Sequence, residues 1–437
     1  MRPSRLVAVV FLFTFVGQCA DHPRYPLKVS ENRRYLVDQR GSPVLIHGDT
    51  AWSLITALTK GEAAEYLENR RGKGFNAIIV NLIEHKFNGP RTREGEGPFT
   101  TPGDFSAPNE KYFAHADWVL REARQKEIVV LLVPVYLGYE GSDEGWWEEV
   151  LANGPARCRE FGAYVGRRYK DFENLVWVMG GDRNPGPAWD HVNALAQGIR
   201  SQDARTLITA HAAPERSAVD EYARGGWLDL NATYTYEIVH KKLLRDWRRV
   251  PVMPFVLFES SYEGEHNASA LQIRRQAWWA ILCGAAGQFL GNRPIWLFDK
   301  GWREAMESTG SRDMVHLQAL FTSRDWHALI PDVRHEVVTA GLGEFNGLDY
   351  VAAARTAERS TVIAYMPASH PVTVDLSQMS AERVMAWWFN PWNGEATAAG
   401  EHPAQGTRTF LPPAEGDWVL VLDDAAKRLS PPGRRSN

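Results

Sequence analysis

The chain predicts an α/β fold: a (β/α)₈ barrel of the TIM type followed by a small all-β sandwich. Three observations lead there. Short runs rich in Val, Ile, Leu and Phe alternate with longer amphipathic runs up to about residue 330. Eight such apolar runs can be counted, and a closed parallel barrel accommodates eight strands alternating with helices. Beyond that point strand-like runs recur without helical runs between them, as in a sandwich.

Taken in order, the chain begins with Arg2 and Arg5, then an apolar stretch from Leu6 to Val16 broken only by Thr14. That stretch is too short to span a bilayer and reads as an export signal over residues 1–20. Val16-Gly17-Gln18-Cys19-Ala20 is similar to a lipoprotein cleavage box. Lipid anchoring through Cys19 and soluble secretion both stay open, so the expected location is periplasmic, cell-surface or secreted. Residues 30–45 alternate around Asp38-Gln39-Arg40-Gly41, a hairpin signal. The strands expected next are Val44–Gly48, Ala77–Leu82, Ile128–Tyr136, Leu175–Gly180, Thr206–His211, Leu228–Ala232, Pro254–Glu259 and Gly287–Leu290. Their near-continuous apolar character suits strands covered on both faces. Helical runs lie between, among them Gly61–Arg71, Phe113–Lys126 and Ala268–Cys283. The barrel is expected over 27–330, the β domain over 331–425 and a disordered tail over 426–437. Phe87–Phe113, rich in Gly, Pro and Thr, reads as a long loop able to cover the barrel mouth.

Composition narrows the function. The 49 basic and 53 acidic residues leave a net charge of −4, which gives no field to attract nucleic acid. With Cys19 in the leader, Cys158 and Cys283 remain; a disulfide after export is open to them, but a chain large enough to be stabilised by its core favours two buried free thiols. No CxxC, HExxH or paired-His spacing points to a metal, and no cofactor is expected. The sequence carries no signal for oligomeric state.

In a barrel of this kind the site lies at the C-terminal ends of the strands. Polar residues there are His47, Asp49, Asn81, Tyr136, Asp182, His211, Tyr234, Tyr236, Glu259, Gln288 and Asn292. Asp182 ends the fourth strand and Glu259 the seventh, which aims two carboxylates across the barrel mouth. Such a pair suits acetal cleavage, one carboxyl protonating the leaving oxygen and the other attacking the anomeric carbon. Each also fits a structural role, Asp182 capping the turn Arg183-Asn184-Pro185 and Glu259 pairing with a rim arginine. Trp52 and Trp296 are candidates to stack on a sugar ring. His47, Asp49, Asn81, His211, Tyr234, Tyr236, Gln288 and Asn292 complete the candidate substrate contacts.

At these residues the sequence resembles the apiosidase-like glycoside hydrolase family. The resemblance rests on His47-Gly48-Asp49-Thr50-Ala51-Trp52, Trp177-Val178-Met179-Gly180-Gly181-Asp182-Arg183-Asn184 and Phe258-Glu259-Ser260-Ser261-Tyr262-Glu263-Gly264. Arg274-Arg275-Gln276-Ala277-Trp278 and Gly284-Ala285-Ala286-Gly287 follow, with Ala386-Trp387-Trp388-Phe389-Asn390-Pro391 in the β domain. It implies a barrel with Asp182 as acid/base and Glu259 as nucleophile, and a C-terminal domain named for collagen binding. The segments Gly287–Asn292 and Tyr234–Glu237 depart from the apiose-cleaving members, so the resemblance implies glycosidase chemistry without fixing the sugar. The expected activity is cleavage of a complex, plant or pectic-type polysaccharide or oligosaccharide, with retention at the anomeric carbon. The competing reading is an exported carbohydrate- or matrix-binding protein with an inactive barrel.

Overall fold

The computed structural model describes residues 23–434 apart from residue 86; the export-signal segment and Cys19 lie outside the described residues. Eight parallel strands form the barrel: β1 (Ile46–Thr50), β2 (Ala77–Asn81), β3 (Val129–Val133), β4 (Leu175–Gly180), β5 (Leu207–His211), β6 (Asn231–Tyr234), β7 (Phe255–Glu259) and β8 (Gly287–Asn292). They hydrogen-bond in the order β5-β4-β3-β2-β1-β8-β7-β6. Between β5 and β6 no ladder forms. The seam is held at its base by the Asp229 amide donating to Ile208 O at 2.9 Å and the Thr209 hydroxyl donating to Leu230 O at 2.7 Å. All eight strands are buried along their length, which is why β2, β3, β4, β5 and β7 show near-continuous apolar runs instead of alternation, while β1, β6 and β8 carry buried polar residues.

Helices cover the barrel, and their starts follow capping chemistry. Helix Lys60–Gly72 opens on a Thr59/Glu62 capping box. Glu110–Gln125, Ala270–Leu282 and Thr309–Thr322 open on Asn109, Ser269 and Ser308, whose side chains accept from the first-turn amides. The hairpin region forms a three-stranded sheet from Lys28–Val29, Leu36–Val37 and Pro43–Val44.

The second unit contains β9 (Leu329–Pro331), β10 (Val338–Ala340), β11 (Ala352–Thr356), β12 (Thr361–Met366), β13 (Val372–Asp375), β14 (Arg383–Phe389), β15 (Ala396–Pro403), β16 (Thr407–Phe410) and β17 (Trp418–Asp424). Two antiparallel sheets, β9-β11-β12-β17-β14-β15 and β10-β13-β16, enclose an apolar core that includes Val338, Val362, Val374 and Leu420. Strand β15 was not anticipated: its residues are mostly exposed and either small or polar, and only its pairing with β14 makes it a strand. The end of the chain also differs from the expected disordered tail. Through Arg434 it folds back: Arg324 donates to Ser430 O at 2.9 Å, and the Gly433 amide donates to Ser323 Oγ at 3.0 Å.

The two units pack directly on each other. Arg274, on helix Ala270–Leu282, pairs with Asp313 of a barrel helix and with Asp417 beside β17, both at 2.6 Å. Trp278 on the same helix stacks on Tyr365 of β12 at 5.7 Å. Cys158 and Cys283 are both buried and free.

Candidate active site

Strand β4 ends on Gly180, Gly181 and Asp182, all with positive φ (81°, 137° and 49°). A Cβ at Gly180 would lie 2.4 Å from the Tyr222 hydroxyl, and one at Gly181 would lie 2.4 Å from the Tyr136 ring. Only glycine satisfies both the backbone angle and the crowding. The resulting turn throws Asp182 over the barrel mouth in a left-handed conformation that aspartate adopts more readily than most residues.

Opposite it, β7 ends on Glu259, 7% exposed. Phenols from the β6 segment connect the two carboxylates. Tyr234 OH donates to Asp182 Oδ1 at 2.9 Å and lies 3.3 Å from Tyr236 OH, which reaches Glu259 Oε1 at 3.2 Å. Tyr136, just beyond β3, contacts Asp182 Oδ2 at 3.2 Å. The Asp182 amide donates to His211 Nδ1 at 3.2 Å, so the imidazole proton sits on Nε2. That nitrogen lies 2.9 Å from Glu259 Oε2, close but off the N–H axis, so the contact is electrostatic and not a formed hydrogen bond. Trp52 stacks on His211 at 5.6 Å, and its indole N–H donates to Tyr262 OH at 3.0 Å.

Burial and then the charge of Glu259 push the Asp182 carboxyl up to about 7, with His211 and the Tyr234 hydrogen bond acting the other way. One carboxyl of the pair is thus suited to hold a proton near neutral pH while its neighbour lies within reach of the same ligand.

Both carboxylates line a cleft of about 220 Å³ with Trp52, Tyr136, Tyr236, Tyr262 and Trp296. A larger cavity of about 580 Å³ adjoins it. Asp182, Tyr139, Tyr236, Tyr262 and Glu265 border both, whereas Glu259 borders only the smaller. Asp182 therefore stands at the junction of the two cavities. Among the described residues, no cluster of three or more His, Cys, Asp or Glu side chains is placed to hold a metal ion.

Of the twelve residues expected from sequence, the structure gathers Asp182, Glu259, Trp52, Tyr234, Tyr236 and Trp296 at the cleft, with His211 directly behind the pair. Five others are placed elsewhere. Asp49 turns outward to helix Lys60–Gly72, accepting from Tyr66 OH at 2.8 Å and pairing with Arg70 at 3.2 Å. His47 stacks on Phe75 at 4.7 Å and accepts from Gln288 Nε2 at 3.1 Å; burial pushes its pKa down to about 3. The Gln288 amide also lies 3.6 Å from Met314 Sδ in the helix layer. The reason is parity, because alternate residues of a strand face opposite sides and these three face the helices. Asn81 is sealed from solvent. Asn292 donates to Glu263 at 3.2 Å and to Ser308 at 3.4 Å, tying the end of β8 to the start of helix Thr309–Thr322.

The structure adds Phe87, Tyr136, Tyr139, Glu144, Tyr262 and Glu265 to the cleft. Tyr136 stands at a strand end and was visible among the rim residues. Of the other five, Phe87, Tyr139, Glu144 and Glu265 lie on loops and Tyr262 lies in a two-residue strand, Tyr262–Glu263, paired with β8, where the strand-end rule has no purchase. Phe87, at the start of the long loop, packs against Tyr136 at 5.2 Å and Trp296 at 5.1 Å. That segment thus supplies a wall of the cleft.

Comparison with known proteins agrees with this architecture. A model described as "Apiosidase-like, catalytic domain" matches residues 30–328, and one described as "Putative collagen-binding domain of a collagenase" matches 330–423. No curated protein matches the chain. A solved structure called "Glycoside hydrolase" aligns over 92% of this chain and 97% of its own, with a TM-score of 0.82 and 24% identity. A glycoside hydrolase family 5 structure from Bacteroides vulgatus aligns over 92% and 95%, with a TM-score of 0.83 and 23% identity. These structural likenesses establish the shared fold. With the family model spanning most of the chain, the protein belongs to the apiosidase-like family and is a glycoside hydrolase.

Proposed function

We propose that the protein is a retaining glycosidase in which Asp182 is the acid/base and Glu259 the nucleophile. The observation that carries this reading is the carboxylate pair at the ends of β4 and β7, joined through Tyr234 and Tyr236 in one cleft. Asp182, at the junction of the two cavities, gives its proton to the glycosidic oxygen as the C1–O bond breaks. Glu259 forms the ester to the anomeric carbon. Asp182, now ionised, takes a proton from water as that water displaces Glu259 and restores both groups. His211 and Tyr236 hold the nucleophile in place.

The substrate we propose is a branch sugar of a complex plant or pectic-type polysaccharide. The smaller cleft falls below the roughly 300–1,000 Å³ of pockets that take drug-sized ligands, which suits one sugar unit. It is lined by Glu144, Asp182, Glu259 and Glu265, with no lysine or arginine among the described lining residues. That electrostatic environment favours a neutral unit over a uronic acid at the cleaved position. We further propose export by the N-terminal segment, with lipid anchoring at Cys19 or release as the two routes.

Sugar release from a panel of pectic and hemicellulosic substrates tests the reading. Asp182→Asn is expected to lower kcat/KM by about 10²–10⁴-fold, and Glu259→Gln to abolish release. Wild-type kcat/KM should fall above about pH 7 as Asp182 loses its proton. Near-wild-type activity of Glu259→Gln would remove the nucleophile, and an inverted first-formed anomer by NMR would remove the covalent route.

A further inference from the structure

The segment following β3 forms a closed loop whose neck is made by two glycines. A Cβ on Gly145 would lie 2.2 Å from Gly138 N, and one on Gly138 would lie 2.6 Å from Gly145 N. Side chains at either position would force the neck apart. The pinch fixes the residue just before it, half-buried Glu144, against the cleft. Its Oε1 accepts from the Tyr139 amide at 2.9 Å and lies 3.3 Å from Tyr136 OH. The same hydroxyl is 3.2 Å from Asp182 Oδ2.

A phenol has one proton, so Tyr136 donates to one of these two carboxylates at a time. Asp182 Oδ1 is occupied by Tyr234 OH. Oδ2 is therefore the oxygen free to carry a proton, and Tyr136 is the group that competes for it.

We propose that Glu144 and Tyr136 form a hydrogen-bond switch in which Glu144 draws the Tyr136 O–H away from Asp182 and so favours the protonated, acid-competent form of that carboxyl. When Asp182 is ionised, Tyr136 donates to Oδ2. When Asp182 is protonated, Tyr136 turns its O–H to Glu144, leaving the proton on Oδ2 available to the glycosidic oxygen. No net proton moves along the relay. Glu144 is thus a positioning residue: its negative charge opposes ionisation of Asp182, and its oxygen gives the phenol somewhere else to donate.

Other groups face Asp182, and the switch must act against them. Glu259 on β7 adds negative charge, His211 on β5 opposes it, and Tyr234 from β6 donates to the carboxylate. Tyr236 lies behind Tyr234, and Glu265 and His266 border the adjoining cavity. On its own turn, Arg183 is stacked over Trp147 at 3.6 Å. Glu144 is a further charge acting on Asp182, and burial and Glu259 rank above it among the causes that raise the carboxyl.

The proposal rests on Asp182 being the acid, yet its test needs no substrate. The Asp182 side-chain carboxyl is titrated by carbon NMR in the full chain, with Asp182→Asn assigning the signal. Glu144→Gln keeps the shape and the acceptor but removes the charge; the midpoint should fall by about 1 pH unit. Tyr136→Phe removes a donor to the ionised form, and the midpoint should rise. In the Tyr136→Phe background, adding Glu144→Gln should lower the midpoint by less than it does alone, because the switch has lost its middle member. A Glu144→Gln midpoint equal to or above wild type, or strict additivity in the double variant, overturns the switch. If Asp182→Asn keeps full activity on the sugar panel, the assignment of the acid falls while the titration still reports on the relay.

Discussion

Asp49, Glu84 and Asp182 are three of the carboxylates at or just past the mouth ends of barrel strands, and their surroundings differ by degrees. Asp49 on β1 has a full cation, Arg70, with both side chains completely buried. Glu84, after β2, is 2% exposed, and among the described residues the hydroxyls of Ser53 and Thr56 are its side-chain donors. Asp182 beyond β4 has two phenols and faces another carboxylate. In sequence Asp49 and Asp182 look equivalent, each a lone acid closing an apolar strand. Burial pushes all three carboxyls up, and the difference is what opposes it: a buried arginine ties a carboxylate into the scaffold, whereas hydroxyl partners leave an acid with a proton it can give away.

The contrast can be broken first at Arg70. Arg70→Met strands Asp49 without its cation and should lower unfolding free energy by about 3–5 kcal/mol in denaturant titrations, while the folded fraction keeps its cleft chemistry. Retention of wild-type stability would show that Asp49 is no more anchored than Asp182.

Glu84 sharpens the middle case. Burial pushes its carboxyl up to about 7 from an ordinary value of 4.5, against the hydroxyl donors. An acid with a higher pKa folded than unfolded binds its proton more tightly when folded. Its contribution to stability is therefore full below about 4.5 and declines as pH rises through about 7. Glu84→Gln should remove that decline and be about 3 kcal/mol more stable than wild type at pH 8. An unchanged stability–pH profile would place the group among stronger partners than Ser53 and Thr56.

The smallest effect is expected at Asp182. Its carboxyl is raised by burial and by Glu259, so the same direction applies and Asp182→Asn should be stabilising above neutral pH. Cleft water moderates the gain to about 2 kcal/mol, measured by thermal or chemical unfolding at pH 8. Activity lost and stability gained in one variant would mark a site held at the expense of the fold. A loss of stability would assign Asp182 to the scaffold with Asp49.

The same comparison explains what the sequence could reveal. Strand β4, Leu175–Gly180, matches its expected range because a strand buried on both faces shows itself as an apolar run, and β13, Val372–Asp375, because its half-buried Val-Thr-Val-Asp alternates. Asp182 and Glu259 were legible because each interrupts such a run at the end that forms a barrel mouth. Strand parity was harder to use: placing His47, Asp49 and Gln288 on the helix side requires knowing which face each strand presents, and fully buried strands lack the alternation that reveals it. Glu144 lay in Glu140-Gly141-Ser142-Asp143-Glu144-Gly145, which reads as a solvated loop until Gly138 and Gly145 are seen to meet. Exposed β15 shows the same limit, since its partner strand defines it.

Helix Ala270–Leu282 carries one more consequence. Toward the β domain it presents Arg274 and Trp278; toward the site, Gln276 accepts from Ser260 Oγ at 3.0 Å and donates to Ser261 O at 2.9 Å, gripping the residues that follow Glu259. Excision of the β domain would leave Arg274 without Asp417 and uncover the Trp278 face on the helix that grips the residues after Glu259. The two units are therefore poor candidates for modular exchange: a barrel transplanted onto a different accessory domain would need Asp417 and Tyr365 rebuilt at the new junction.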